Sequence, residues 1–449
     1  PSDRRRFLDE CVELAGKDME IFSESRDMQE YARTYNALAH YEYSVFTLRW
    51  VHEWDRQVIE EAIEKGLRWG EKAVTALEEL GDPRSAIAYS SVATCLLELT
   101  WFVIADPEVH EQYRERALRY INKVVDLSQE AGDYYLLAHS YFWLGDNFTE
   151  GDESIRCFEK MLECAEKTRD NFLKAFALSF LAYAIYWKAI ETEDPDQRLK
   201  LSEEAMQYYD RSEQRFSIFS FICPRGALIP PPGGYTEHYF YLAEWETDLE
   251  KKLDFLQKSE KNGREALKVA ENSEVPIAII YMLYTLGKTL TARARLEPNL
   301  DEKKKLLGKA LKHLERSIGI YIQWKPFVYW NIGAFYNRLA DTKAEMGYLE
   351  SDLKTKRLLL EEAASYKEKC LELIAKRVQT YEKRGKVVPY TSIYGYQDTY
   401  WTLLNCLYKL TNSTEYLRKA IEITQNAMES AIKLDIASLR AESYWKIAK

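Results

Sequence analysis

The sequence predicts an all-α protein, a solenoid of stacked helical hairpins. Three observations predict it. Small residues recur in pairs seven apart, about every 51 residues along the chain. Between these pairs lies a second pattern: an aromatic or leucine, an aliphatic three on, a small residue, then another bulky one. Only 18 Gly and 12 Pro are spread over 449 residues, too few for the turns of an all-β chain, and 46% hydrophobic content excludes a disordered one. Residues seven apart share a helix face, and small ones there let a neighbouring helix approach closely.

The two patterns alternate strictly. The first hairpin, residues 28–80, carries Tyr35/Leu38/Ala39 on its first helix and Gly66/Ala73 on its second. The next, 84–131, carries Tyr89/Val92/Ala93/Leu96 and Ala117/Val124; 134–170 carries Tyr141/Leu144/Gly145/Phe148 and Cys157/Cys164. Residues 172–219 offer Leu178/Leu181/Ala182/Ile185 and Ala205/Ser212, and 237–273 offer Tyr239/Leu242/Ala243 and Ser259/Ala266. Leu283/Leu286/Gly287/Leu290 with Ala310/Ser317 define 276–323, and Tyr329/Ile332/Gly333/Tyr336 with Ala363/Cys370 define 327–384. Trp401/Leu404/Asn405/Tyr408 with Ala420/Ala427 define 396–435, and a partial copy, Tyr444/Ile447/Ala448, opens in 437–449.

This alternation resembles the tetratricopeptide repeat, a helix-turn-helix unit reading W-x2-L-G-x2-Y and then A-x3-F-x2-A. The best copy spans 132–170, where 12 residues separate Gly145 from Cys157, as in the family's 34-residue unit. The resemblance implies a right-handed α-α superhelical solenoid of about eight to nine hairpins, one domain over 1–449, because such a hairpin cannot bury its apolar face alone. The chain departs from the family in length. Ala93 to Ala117 is 24 residues, and Ala182 to Ala205 and Gly287 to Ala310 are 23 each, which extends both arms of a hairpin. Asp106-Pro107, Asp194-Pro195 and Asn299 are the start signals of second helices.

Two segments break the rhythm. Residues 220–235 read SFICPRGALIPPPGGY, in which Pro230-Pro231-Pro232 should stop a helix and Gly233-Gly234 should turn the chain; 383–396 read KRGKVVPYTSIYGY. Each is either a loop packed over the solenoid edge or a mobile lid that docks a partner. The apolar stretch 175–187 has 13 residues, short of a bilayer span, and is expected as a buried helix.

Chemistry-bearing motifs are missing from the sequence. It holds no phosphate-binding glycine loop, no H-E-x2-H and no G-x-S-x-G. Six scattered histidines have no metal-ligand spacing. No enzyme, cofactor or metal is expected of this chain. Seven cysteines, with no C-x2-C pair, predict free thiols in a reducing, cytoplasmic setting. The start at Pro1-Ser2-Asp3-Arg4 and the end inside an apolar helical pattern predict a piece of a longer protein. A net charge of −10 counts against a general nucleic-acid binder, so DNA is not an expected partner; neither is a membrane.

In tetratricopeptide repeats the first helices line a concave groove. Carried over by position, the resemblance implies partner-facing Arg33, Asn36, His40 and Tyr43; Phe142 and Asp146, with His139; Phe176, Tyr183 and Tyr186, with Trp187; Phe240 and Glu244, with Glu237 and Asp248; Tyr281, Tyr284 and Lys288; and Trp330, Asn337 and Arg338, with Phe327. Either these aromatic rings anchor a partner, or the taller helices pack against one another and hide them. The Lys-x3-Asn arrangement with which some members grip a chaperone's terminal carboxylate is missing: Lys288 is followed by Ala292, and Lys325 by Tyr329. The expected function is a scaffold or adaptor that docks a protein or peptide in its groove. The alternatives are the regulatory arm of a larger signalling protein and a small-molecule or RNA-binding solenoid.

Overall fold

The computed structural model describes residues 56–82, 84–102, 107–192, 194–216, 231–272, 276–324, 332–383 and 390–433, together with 6, 10–11, 13–17, 21 and 37. Among the described residues there is no strand. From residue 56 onward the helices are α1 (Arg56–Glu79), α2 (Ser85–Phe102), α3 (Pro107–Ala131), α4 (Tyr134–Asn147), α5 (Gly151–Thr168), α6 (Asn171–Glu191), α7 (Pro195–Phe216) and α8 (Pro231–Trp245). They continue as α9 (Leu249–Asn272), α10 (Pro276–Leu296), α11 (Leu300–Trp324), α12 (Ile332–Leu349), α13 (Leu353–Lys383), α14 (Tyr390–Thr411) and α15 (Thr414–Lys433). From α1 to α7, and again from α12 to α15, each helix packs on its predecessor and its successor in the chain, so the fold is all-α and built of tandem hairpins.

Every small-residue pair falls on a second helix, in order: α1, α3, α5, α7, α9, α11, α13 and α15. Most of these positions are buried outright, among them Ala73, Ala117, Ala205, Ala310 and Ala363. Two of the small residues bond the first helix of their own hairpin through a hydroxyl: Ser212 donates to the Ala175 carbonyl at 3.0 Å, and Ser317 to the Ile280 carbonyl at 2.8 Å, whereas Ser259 pairs with Thr289 of the next hairpin at 2.9 Å. The glycines of the first helices admit the opposite arm. A methyl at Gly145 would lie 2.9 Å from the Phe158 ring, and one at Gly287 would lie 2.5 Å from Leu314 Cγ. The copies at 35–39 and 444–448 lie outside the described residues, as does Asp106.

The hairpins turn on side-chain caps. Asp133 and Asp170 accept the first free amides of α4 and α6, Asp194 those of α7 and Asn299 those of α11. Three tips share a further brace. Glu246, Glu297 and Glu350 each end a first arm and accept amides within the turn, and Asp248, Asn299 and Asp352 then cap α9, α11 and α13. The pattern Glu-x-Asp/Asn-Leu thus closes each tip from its own residues.

Three sequence expectations are corrected. The prolines at 231–232 open α8 rather than stopping a helix, since a helix's first turn needs no amide donor from them. Gly233 and Gly234 are helical, and Gly234 makes room for Tyr209, whose ring would sit 2.8 Å from an added methyl. Residues 390–396 are likewise the first turns of α14, and 220–230 and 384–389 lie outside the described residues. The apolar stretch 175–187 belongs to a 21-residue helix, α6, which by length and composition is long enough to cross a bilayer; its Leu173, Phe176, Leu178, Leu181 and Ile185 are buried within the fold, as expected.

The chain packs as two compact units. Unit 1 holds α1–α7, α8 as far as Leu242, and the residues of α9 and α10 that flank their connection, Glu265–Ile279. Unit 2 holds the remainder of α8, α9 and α10, α11 as far as Gln323, and all of α12–α15. The described cysteines, Cys11, Cys95, Cys157, Cys164, Cys370 and Cys406, are free thiols.

Candidate functional site

Unit 1 collects its predicted groove residues on α4, α6 and α8. Phe142 of α4 meets Phe176 and Phe180 of α6 with ring centroids 5.1 and 4.9 Å apart, and Phe176 and Phe180 lie 4.7 Å apart. This cluster fills the seam between successive first helices. Phe142 and Phe176 are buried by it, and Tyr186 and Phe240 are buried elsewhere on α6 and α8, which corrects the assignment of all four to an open groove surface. Farther along α6 the face changes character. Tyr183 and Trp187, one turn apart, stand at 5.9 Å in T-shaped contact; Tyr186 backs them, 5.9 Å from Trp187 and 5.8 Å from Tyr241 of α8. Tyr183 and Tyr241 are half-buried, and Trp187 is 41% exposed. Burial first, then the carboxylates of Glu237 and Asp146, raise the Tyr183 phenol above its ordinary value. Behind this face His238 is buried against Tyr186 and Tyr209, and burial pushes it down to about 4, so the ring is neutral.

Unit 2 gathers Tyr284 and Lys288 of α10 with Asn337 and Arg338 of α12, all predicted groove positions. Tyr284 stacks on Phe335 at 4.2 Å. Lys288, 4% exposed, lies 5.9 Å over the Tyr284 ring, so its chain is covered rather than lining a solvated groove. Asn337 is also buried, as a partner of Lys367 from α13. Lys367 is 1% exposed and spends its three donors on Asn337 Oδ1, on Asp341 Oδ1 at 2.6 Å and on Thr399 Oγ1 at 2.6 Å. Arg338 lies 3.9 Å from Asp341, with about a third of its side chain exposed. Burial alone would lower its guanidinium; Tyr284, Asp341 and Glu244 outweigh that and raise it. Tyr281 is half-buried on α10 and Glu244 exposed on α8. Arg338 is thus a partly exposed cation beside Asp341 and Tyr284, able to meet a carboxylate or carbonyl acceptor.

Lys367, Asp341 and Thr399 are the site residues that groove positions did not name. The signal for Lys367 was available: it shares a helical face with Ala363, Cys370 and Ile374, all buried. Arg33, Asn36, His40, Tyr43, Phe327 and Trp330 lie outside the described residues. Among the described residues no group of three His, Cys, Asp or Glu side chains could hold a metal ion.

No protein-family model and no curated protein matches the chain. Among solved structures it is similar to a human IFIT1 dimer with PPP-AAAA, at 14% identity and a TM-score of 0.37, covering 97% of this chain and 87% of that one. A signal-transduction ATPase with a tetratricopeptide repeat sensor from Pyrococcus horikoshii gives 11% identity and a TM-score of 0.37, over 94% of this chain and 65% of that one. Yeast Tom70 gives 12% identity and a TM-score of 0.22, over 99% and 96%.

Proposed function

We propose that the chain is a protein-interaction scaffold whose first-helix faces dock a peptide or protein partner. The observation that carries this reading is Arg338. A solvated helix face would carry an unpaired cation, whereas this guanidinium lies beside Asp341 and Tyr284 with about a third of its side chain exposed. Fixing a side chain before binding removes part of the ordering cost of association. The same groups offer no nucleophile paired with a base, so the arrangement suits recognition rather than covalent chemistry.

Arg338→Ala tests it. Asp341 keeps Lys367 as its partner in that variant, so the fold is expected to stand. Affinity capture from native extract on the wild-type chain and on the variant, quantified by mass spectrometry, should show at least one partner depleted about ten-fold on Arg338→Ala, the loss of one charge-assisted hydrogen bond. Capture of every partner at wild-type level would overturn the assignment.

A further inference from the structure

We propose that the hairpin tips at one end of unit 2 rest on the surface of an anionic phospholipid bilayer. The inference stands apart from the Arg338 reading above. The three braced tips, at 246–249, 297–300 and 350–353, each place a leucine at the first position of the second arm. Leu249, Leu300 and Leu353 are 68%, 50% and 67% exposed, and among the described residues no large apolar side chain is more exposed than Leu249 and Leu353. One exposed leucine is ordinary, but the same one at three successive tips of one compact unit forms an apolar edge.

The three tips lie at one end. Thr291 of α10 and Thr342 of α12 share a hydroxyl bond at 2.8 Å, and Arg295 reaches Glu345 at 2.8 Å, so these two first arms run side by side in register to Glu297 and Glu350. Ser259 of α9 bonds Thr289 of α10 at 2.9 Å, and each is thirteen residues from the connection between the two helices, which are therefore antiparallel. From that bond α9 runs back ten residues to Leu249 and α10 runs on eight to Glu297, about 15 and 12 Å in the same direction.

The charge beside the leucines selects the occupant. The carboxylates of the braces accept backbone amides. Asp254, Glu302 and Glu361 are taken up by Lys258, Lys305 and Arg357 of their own helices. Lys304 acts on Glu350 of the next tip, adding to the amides of Asp352 and Ser351 that hold that carboxyl low. What remains at the three helix starts is Lys251, Lys252, Lys303, Lys354 and Lys356 against Glu250 and Asp301. Lys251 and Lys354 are exposed, and the other three lysines partly so. Leucines in solvent with unpaired lysines within a turn of each suit a lipid boundary, where the apolar chain enters the headgroup layer and the ammonium meets phosphate. The net charge of −10 on the whole chain keeps the rest of its surface away from such a bilayer, so the contact is confined to this edge.

The test is co-sedimentation of the intact chain with vesicles of phosphatidylcholine alone and of phosphatidylcholine with about 30% phosphatidylserine. Two triple variants are compared with wild type, Leu249→Ser/Leu300→Ser/Leu353→Ser and Lys251→Gln/Lys303→Gln/Lys354→Gln, with Arg338→Ala beside them. The substituted leucines are in solvent, so both triple variants should keep the wild-type melting midpoint. The expected result is binding to the phosphatidylserine vesicles at least about ten-fold tighter than to phosphatidylcholine alone, a loss of about ten-fold or more in each triple variant, and no change in Arg338→Ala. Failure of wild type to sediment with the anionic vesicles overturns the inference, and so does unchanged binding of the leucine variant, which would mean adhesion by charge alone. Retention on a polyglutamate resin without binding to vesicles also overturns it, in favour of an acidic protein partner. Each of these outcomes leaves the Arg338 reading standing, because that reading is judged by capture of protein partners.

Discussion

Lys367 of α13 donates to Asp341 of α12 at 2.6 Å with almost none of its surface in contact with water. A cation so placed is held by its acceptors, and the two residues are not equivalent on removal. Asp341→Asn leaves Lys367 and the nearby Arg338 without their carboxylate and should cost about 3 kcal/mol, the range for breaking a buried pair. Lys367→Met replaces the charged chain with an apolar one of similar length and should cost much less, Asp341 retaining Arg338. Urea unfolding of both single variants and the double variant checks this. Equal losses from the two single changes would contradict it.

Two glycines separate close helix approach from helix propensity. At Gly287 an added methyl meets the branched carbon of Leu314 at 2.5 Å, so Gly287→Ala must part α10 from α11 and should destabilise by about 1–3 kcal/mol. At Gly308 of α11 nothing lies within 4 Å of the added carbon, and Gly308→Ala should stabilise by about 0.5–1 kcal/mol. Thermal midpoints should therefore move in opposite directions.

Burial makes His238 a site of acid sensitivity. Its folded value, about 4, lies below the ordinary 6.5, so the folded state binds fewer protons at intermediate pH. The titratable groups whose rings meet it are Tyr186 and Tyr209. Stability is insensitive to this group above pH 6.5, falls as pH drops from 6.5 to 4, and levels off below, for a total of about 3 kcal/mol. Denaturant titrations at successive pH values should give His238→Phe a flatter profile than wild type through that window. Parallel profiles would exclude His238 as the source.

Thiol chemistry reports the same packing in unit 2. Burial pushes the Cys370 thiol up to about 12. Iodoacetamide at pH 8 should then label Cys370 in the folded chain roughly a thousand-fold more slowly than in urea. Peptide mapping of the alkylated chain reads this directly, and rapid labelling of Cys370 under native conditions would show that its surroundings open.

Much of the fold was legible because its period is carried by residues whose size matters. Ala73, Ala117, Ala205, Ala310 and Ala363 sit where only a small side chain admits the opposite helix, and each marked its helix in the sequence. The turn chemistry of Asp194 and Asn299 was equally readable, being local. The proline run at 230–232 was misread because proline ends a helix from within but starts one from its first turn. The groove was legible only in part. Family positions do not tell which rings face a neighbouring first helix, and Phe142 and Phe176 are drawn into the seam between two of them. The wide aromatic stripe Phe172, Phe176 and Phe180 on α6 was the available sign of a face packed on both sides. Lys367 escaped notice because a lysine on a charge-rich helix reads as solvated until its face is compared with that of Cys370.

The hydrogen bonds of the Glu-x-Asp/Asn-Leu brace all lie within its own tip. A gene segment copied from one tip to the next would therefore carry a finished bend with it. Lengthening such an array by duplication asks only that the new flanks match, and the near-identical bends at 246–249, 297–300 and 350–353 are what that history would leave behind.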